Sequence, residues 1–192
     1  MSLAEDFGVA APRFEGADAF LLWAERQPER WELVDGVARM MTGGSLNHSR
    51  IAGNTFFALR SRLGRGGCEA FGSDAAVVLG PGWVAFPDVS VSREAEEGRS
   101  VLRPVVIVEV LSPSTASYDL GEKAAAYRRL PSLRHLVFVR QDRVAVQHLH
   151  RAGAGEEFTL TDLDRVDGRI ALAAVGVEVS VADLYAGVSL AG

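Results

Sequence analysis

Val105-Val106-Ile107-Val108-Glu109-Val110-Leu111 is the most apolar run of the chain, yet it carries an acid near its centre. Seven residues so rich in β-branched side chains predict a strand covered on both faces, and the whole strand is expected over 104–111. An ionised carboxylate there is costly unless a metal ion or a cation compensates it. Twenty-one residues upstream lies Pro87-Asp88, at the end of another expected strand. An acid at the end of one strand and a second within the next can converge on one divalent ion, which makes Asp88 and Glu109 a candidate site. The competing assignment for Glu109 is a buried ion pair with Arg103 or Arg128. For Asp88 it is a strand-edge acid turned to water in alternation with Ser90 and Ser92.

Length and composition set the frame around that strand. The 192 residues are 48% hydrophobic, which suffices for one core, and the expected organisation is a loose tail over 1–13 and a single domain over 14–192. No run approaches the roughly 18 apolar residues of a membrane span, and Met1-Ser2-Leu3-Ala4-Glu5-Asp6 has no basic, signal-like start. The expectation is a cytoplasmic protein with no membrane partner. Cys68 is the only cysteine, which excludes an intramolecular disulfide and a thiolate zinc cage within the chain. A formal net charge of -5 is not the signature of a dedicated nucleic-acid binder, so such a function needs local basic surface or bound metal.

Flanking signals give the element order. Asp18 to Arg26 reads as a short helix ending before Pro28, and Trp31 to Met40 as a hairpin turning at Asp35-Gly36. A helix is expected from Asn47 to Leu63, closed by Gly64, with Ala52, Phe56, Leu59 and Leu63 on its buried stripe. Strands are expected over 70–79, 84–91 and 104–111. Asp119-Leu120-Gly121-Glu122 has capping-box spacing and opens a helix that must end by Pro131. Strands over 133–139 and 143–150 follow, with weaker ones over 157–160 and 169–173, and Ser180 caps a short terminal helix. The core order is helix, three strands, helix, strand, in a mixed α/β domain.

That order, with acids on the second and third core strands, resembles the PD-(D/E)XK nuclease superfamily. Phe86-Pro87-Asp88-Val89-Ser90, Val108-Glu109-Val110-Leu111-Ser112-Pro113-Ser114-Thr115 and Asp119 through Glu122-Lys123 to Tyr127-Arg128 look more closely like the Uma-type restriction endonucleases. Glu32-Leu33-Val34-Asp35-Gly36 and His48 also look like family positions, so the resemblance spans roughly residues 14–186. It implies a restriction endonuclease-like mixed central sheet flanked by helices, with an N-terminal helix and β-hairpin. It also implies magnesium, with manganese as a substitute, held by Asp88 and Glu109 to activate water against a DNA phosphodiester. A homodimer is implied, because superfamily nucleases that cut duplexes commonly pair two sites. The alternative is a catalytically inactive nuclease-fold protein that binds nucleic acid or regulates.

One departure is plain. The superfamily's usual lysine stands two positions after the second acid, where this chain has Leu111. Lys123, one turn before Tyr127 on the next helix, can supply the cation, with Tyr127 orienting it or contacting phosphate. Otherwise Lys123 is a solvated helix lysine and Tyr127 a buried ring. Glu32 is a third carboxylate near the metal or a polar hairpin position. His48 contacts phosphate, shuttles a proton, or merely helps cap its helix.

Several other signals carry less. Ser112 and Ser114 lack a Gly-x-Ser-x-Gly elbow and are expected to form a turn with a phosphate contact. His148 and His150 share a strand face and could bind metal, but without an obvious carboxylate partner they read as structural. Gly64 to Gly67 lacks the strand context and Lys-Ser/Thr ending of a phosphate loop. Arg128, Arg129 and Arg134 offer a local basic surface or ordinary helix solvation.

Overall fold

All eight side chains of the strand Pro104–Leu111 are buried, as a doubly covered strand demands. The computed structural model describes residues 11–64, 67–93, 98–113 and 115–190. In it this strand, β8, lies within a six-stranded sheet. On one side it pairs antiparallel with β6 (Val89–Ser92), itself bordered by β3 (Glu69–Gly72). On the other it pairs parallel with β9 (His135–Arg140), followed by β10 (Val146–His150) and β11 (Thr159–Leu163). A parallel step needs a crossover, and a helical segment between β8 and β9 provides it.

A second sheet of five strands holds β1 (Trp31–Val34), β2 (Val37–Met40), β4 (Ala76–Gly80), β5 (Trp83–Ala85) and β7 (Ser100–Val101), in the order β2-β1-β5-β4-β7. The hairpin forms where Asp35-Gly36 predicts it. Both residues have positive φ, 51° and 74°, as a type I′ turn requires. Gly36 N–H donates to the carbonyl of Gly82 at 2.9 Å, and a Cβ on Gly82 would lie 3.0 Å from that nitrogen.

The expected strands over 70–79 and 84–91 are each two strands in different sheets. The chain leaves the large sheet after β3, turns at Ser73-Asp74, builds β4 and β5 in the small sheet, and returns through Phe86-Pro87-Asp88 to β6. Proline has no N–H for a ladder, so Pro87 is a natural break. Apolar residues on both sides of each crossing hide it from a periodicity reading.

Alternation along β8 sends Val106, Val108 and Val110 to one face. There they pack on α2 (Leu46–Leu63), α5 (Val181–Leu184) and the hairpin of β12 (Arg169–Leu172) and β13 (Val177–Ser180). Ile107 and Leu111 point to the opposite face, against Tyr127 and the small-sheet residues Val77 and Ala85. The small sheet buries Leu33, Ala38 and Val84 against Phe20 and Leu21 of α1 (Ala17–Ala24). Helix α2 starts with Ser45 Oγ accepting from His48 N–H at 3.1 Å and stops at Gly64, φ 58°. Its buried stripe is Ile51, Thr55, Ala58, Leu59 and Leu63. Ala52 and Phe56, expected there, are half buried: they pack against the edge of the core and also line a cleft.

The crossover begins earlier than its capping-box spacing suggests. It runs as α3 (Ala116–Tyr118), a π-helical turn (Asp119–Lys123) and α4 (Ala124–Arg128). Asp119 is therefore not a cap but an interior position. Of the expected tail, residues 1–10 lie outside the described residues, and so do Ser114 and part of the Gly64–Gly67 run. Pro12 and Phe14 are tied to the hairpin: the Pro12 carbonyl accepts from Ala38 N–H and Phe14 N–H donates to Gly36 O, both at 2.8 Å.

Candidate active site

Glu109 projects from the same face of β8 as Ile107 and Leu111, toward the crossover helix. Lys123 Nζ lies 2.9 Å from its Oε1 and 2.8 Å from Glu32 Oε1 on β1. Tyr127 OH donates to the same Glu109 oxygen at 2.6 Å. Lys123 and Tyr127, one turn apart, reach one acid, as their spacing predicts. Asp119 Oδ1, at 4.0 Å from Nζ, is the third carboxylate around the ammonium, and Thr115 supports it by a side-chain hydrogen bond. The π-helical turn belongs to this geometry. Such turns are rare and recur at functional sites.

Asp88 sits where the chain re-enters the large sheet. Its Oδ2 accepts from Val110 N–H at 2.7 Å and lies 3.4 Å from His48 Nε2. His48 reaches it from the first turn of α2, around the end of the sheet. Glu32 accepts a further bond from Phe86 N–H at 3.3 Å, which fixes the return segment to the acid cluster. These groups line a cleft of about 990 Å³ that also takes in Arg39, Ser112 and Tyr118.

Burial sets the protonation of the cluster. It pushes the Glu109 carboxyl up to about 8, against the pull of Lys123 and with further push from Asp88, Asp119 and Glu32. Burial alone would lower Lys123, but Glu109, Glu32 and Asp119 outweigh it and hold the ammonium charged. His48 is raised by its hydrogen bond to Asp88, burial opposing. Burial raises the Asp119 carboxyl and the Tyr127 and Tyr118 phenols. The site thus holds one protected cation among four carboxyl groups, and burial drives two of them, Glu109 and Asp119, toward the protonated form.

All six residues singled out from sequence, Asp88, Glu109, Lys123, Tyr127, His48 and Glu32, come together. Glu109 pairs with Lys123, not with Arg103 or Arg128. Lys123 is 4% exposed, so it is not a solvated helix lysine. Ser90 and Ser92, expected to alternate toward water beside Asp88, are fully buried. Arg134 is no free surface cation, because its Nη1 donates to the carbonyls of Pro131, Ser132 and Leu133. Sequence reasoning missed Asp119 as a site acid, since its capping-box spacing masked it, and missed Tyr118 and Arg39 at the mouth of the cleft. Arg39 had one signal, its place directly across the hairpin from Glu32.

The oxygen-donor set suits a hard divalent cation. Among the described residues, Lys123 and Tyr127 engage Oε1 of Glu109, while Val110 N–H and His48 engage Oδ2 of Asp88. These bonds use one oxygen of each carboxylate. No three His, Cys, Asp or Glu side chains among the described residues group around one point as a complete ligand set. Carboxylate oxygens are hard donors, of the class that magnesium takes, unlike the sulfur and nitrogen set of a structural zinc site.

Residues 17–182 match a family model described as "Uma2: Putative restriction endonuclease". The chain belongs to the Uma2 family. Two Synechocystis sp. proteins, each described as uncharacterized, are similar over most of their length. One is 32% identical over 176 residues, covering 90% of this chain and 92% of the relative. The other is 30% identical over 166 residues, covering 81% and 90%. Among solved structures, a protein described as "a putative nuclease belonging to DUF820" from Anabaena variabilis superposes with a TM-score of 0.68. It is 16% identical and covers 86% of this chain and 97% of its own. That likeness supports the restriction endonuclease-like α/β fold. The Uma2 match encloses every residue of the cluster, from Glu32 to Tyr127. No helix among the described residues is long and apolar enough to cross a membrane.

Proposed function

We propose that this Uma2 protein is a magnesium-dependent endonuclease that hydrolyses DNA phosphodiester bonds, with manganese as a substitute ion. The observation that carries the reading is the buried Lys123 ammonium held between Glu32 and Glu109, beside Asp88, at the floor of an open cleft. Asp88 and Glu109 would hold the ion. When bound, it supplies a Lewis acid for the phosphate and lowers the pKa of water. Lys123 offsets the charge that builds on the equatorial oxygens, in the role that a lysine at position 111 would otherwise fill. Tyr127 fixes the Glu109 carboxylate by its hydrogen bond. His48, held toward the protonated form by Asp88, can donate a proton to the departing oxygen. Water adds to phosphorus and the phosphorus–oxygen bond to the leaving strand breaks; that oxygen takes up the His48 proton, and a proton lost by the added water passes through solvent to restore His48.

Residues 14–192 act as one domain in this reading, in the cytoplasm, and two copies present two clefts to a duplex. The test is incubation of the purified protein with plasmid and single-stranded DNA in magnesium or manganese, alongside Asp88→Ala and Glu109→Ala. Wild type should nick or linearise DNA, and each variant should lose at least about 100-fold in rate, as loss of a principal charge-stabilising group does. Cleavage that survives both substitutions overturns the assignment. No cleavage under any condition favours the alternative, a nuclease-fold binding or regulatory module, for which Leu111 at the usual lysine position is the supporting observation.

A further inference from the structure

We infer that Arg39, braced on the ring of Tyr118, is the clamp that receives a nucleic-acid phosphate at the mouth of the cleft. This rests on the nuclease reading for its choice of ligand. The floor of the cleft carries Glu32, Asp88, Glu109 and Asp119 against Lys123 and His48, so it repels a phosphodiester until a cation meets it. Lys123 cannot serve as that first contact, because it is buried and already bonded to two carboxylates.

Arg39 is the cation that remains open. It lies directly across the hairpin from Glu32, so both side chains leave the same face of the small sheet. Its guanidinium is exposed and lines the cleft, and no carboxylate among the described residues lies within ion-pairing distance of it. Instead its Cζ sits 5.7 Å from the ring centroid of Tyr118. Such a cation over an aromatic face is held in place without spending its N–H donors. A planar fork kept in one orientation with its donors free suits bidentate phosphate recognition. Arg30, also at the rim, is committed to the Ser73 carbonyl and Asp74. Tyr118 directly precedes the π-helical turn, so the brace and Lys123 are carried on one segment.

The test is fluorescence anisotropy of a labelled single-stranded oligonucleotide of about 12 nucleotides, titrated with the full chain in EDTA at several salt concentrations. Arg39→Ala should bind about 10-fold more weakly, with a log–log salt slope shallower by about 0.7, the value for one lost phosphate contact on a single strand. Tyr118→Leu should share much of that loss, and Tyr118→Phe, which keeps the ring, should restore it. Arg39→Ala binding within twofold of wild type, with an unchanged slope, overturns the inference, as does the absence of wild-type binding. Cleavage measured in parallel separates the two readings. A protein that cuts DNA yet binds equally well without Arg39 keeps the nuclease assignment and loses this clamp. One that binds through Arg39 and never cuts does the reverse.

Discussion

Two groups of buried ionisable side chains lie on opposite faces of the six-stranded sheet, and the sequence drew attention to both. On the face of Ile107 and Leu111, Glu109 meets Lys123, Glu32 and Asp119 at the floor of a cleft. On the face of Val137 and Val146, His135 and His148 stack with ring centroids 5.2 Å apart. The histidines bond to each other and to the backbone. His135 Nε2 accepts from Ala174 N–H at 3.1 Å, so its proton is on Nδ1 and is donated to His148 Nε2 at 2.9 Å. Burial lowers His135 to about 4 and His148 to about 3, which keeps both neutral. The acid cluster has more carboxylates than its lysine can neutralise, and it opens to solvent. A buried polar group whose bonds close internally holds a fold together, whereas one left with surplus charge beside a cleft is prepared for a ligand.

Removing the lysine should produce the largest effect. Lys123→Met leaves Glu32 and Glu109 without their shared cation, and the expected loss is about 3–5 kcal/mol in urea unfolding at pH 7. Adding Glu109→Gln should recover part of it; a single-mutant loss below about 1 kcal/mol would mean that the ammonium is not structurally committed. On the other face, His148→Leu orphans the Nδ1–H of His135 and should cost about 1–3 kcal/mol. Any DNA cleavage per folded molecule should stay at the wild-type level, and a parallel fall in activity would break the contrast between the faces.

The pH dependence separates the faces by sign. His135 and His148 are depressed from 6.5, so the unfolded chain binds more protons below that value. Their contribution is full above pH 6.5 and is lost on acidification toward about 4 and about 3. Glu109 is raised from 4.5 to about 8, so the folded chain keeps its proton longer. Its contribution is full below pH 4.5 and is lost as pH rises through about 8. Urea midpoints taken from pH 4 to 9 should show a smaller acid-side decline in His148→Leu, where only His135 remains, and a smaller alkaline-side decline in Glu109→Gln. The smallest change is expected for His150→Ala, within about 0.5 kcal/mol, because this half-buried ring adds only a 3.4 Å contact to Thr161 and a tilted ring contact to His148, centroids 4.9 Å apart. A larger loss would extend the histidine pair to a triad.

The parts legible in sequence were those with local causes. The β-branched run foretold β8, Asp35-Gly36 foretold the hairpin, and the spacing of Lys123 and Tyr127 foretold their common target. What stayed hidden depends on tertiary placement. Gly72-Ser73-Asp74 marks a turn between Ala70 and Leu79, but the residues on either side are equally apolar and do not say that the strand changes sheets across it. Asp119 carries a capping pattern that the fold overrides by starting the helix near Thr115 and inserting a π-helical turn. The partnership of Arg39 with Tyr118 joins a hairpin to a crossover helix, and no pattern within either segment announces it.

The double passage of the chain between the sheets has a kinetic consequence. Glu32 arrives on the small sheet, Glu109 on the large one, Asp88 on the segment returning between them, and Lys123 on the crossover helix. The contacts of Glu32 with Lys123 and Phe86, and of His48 with Asp88, close long loops, and such contacts form slowly because chain entropy is lost before they reward it. Neither sheet alone can assemble the cluster. During refolding, burial of Lys123 against Glu32 is therefore expected to report the docking of the two sheets, after the formation of either.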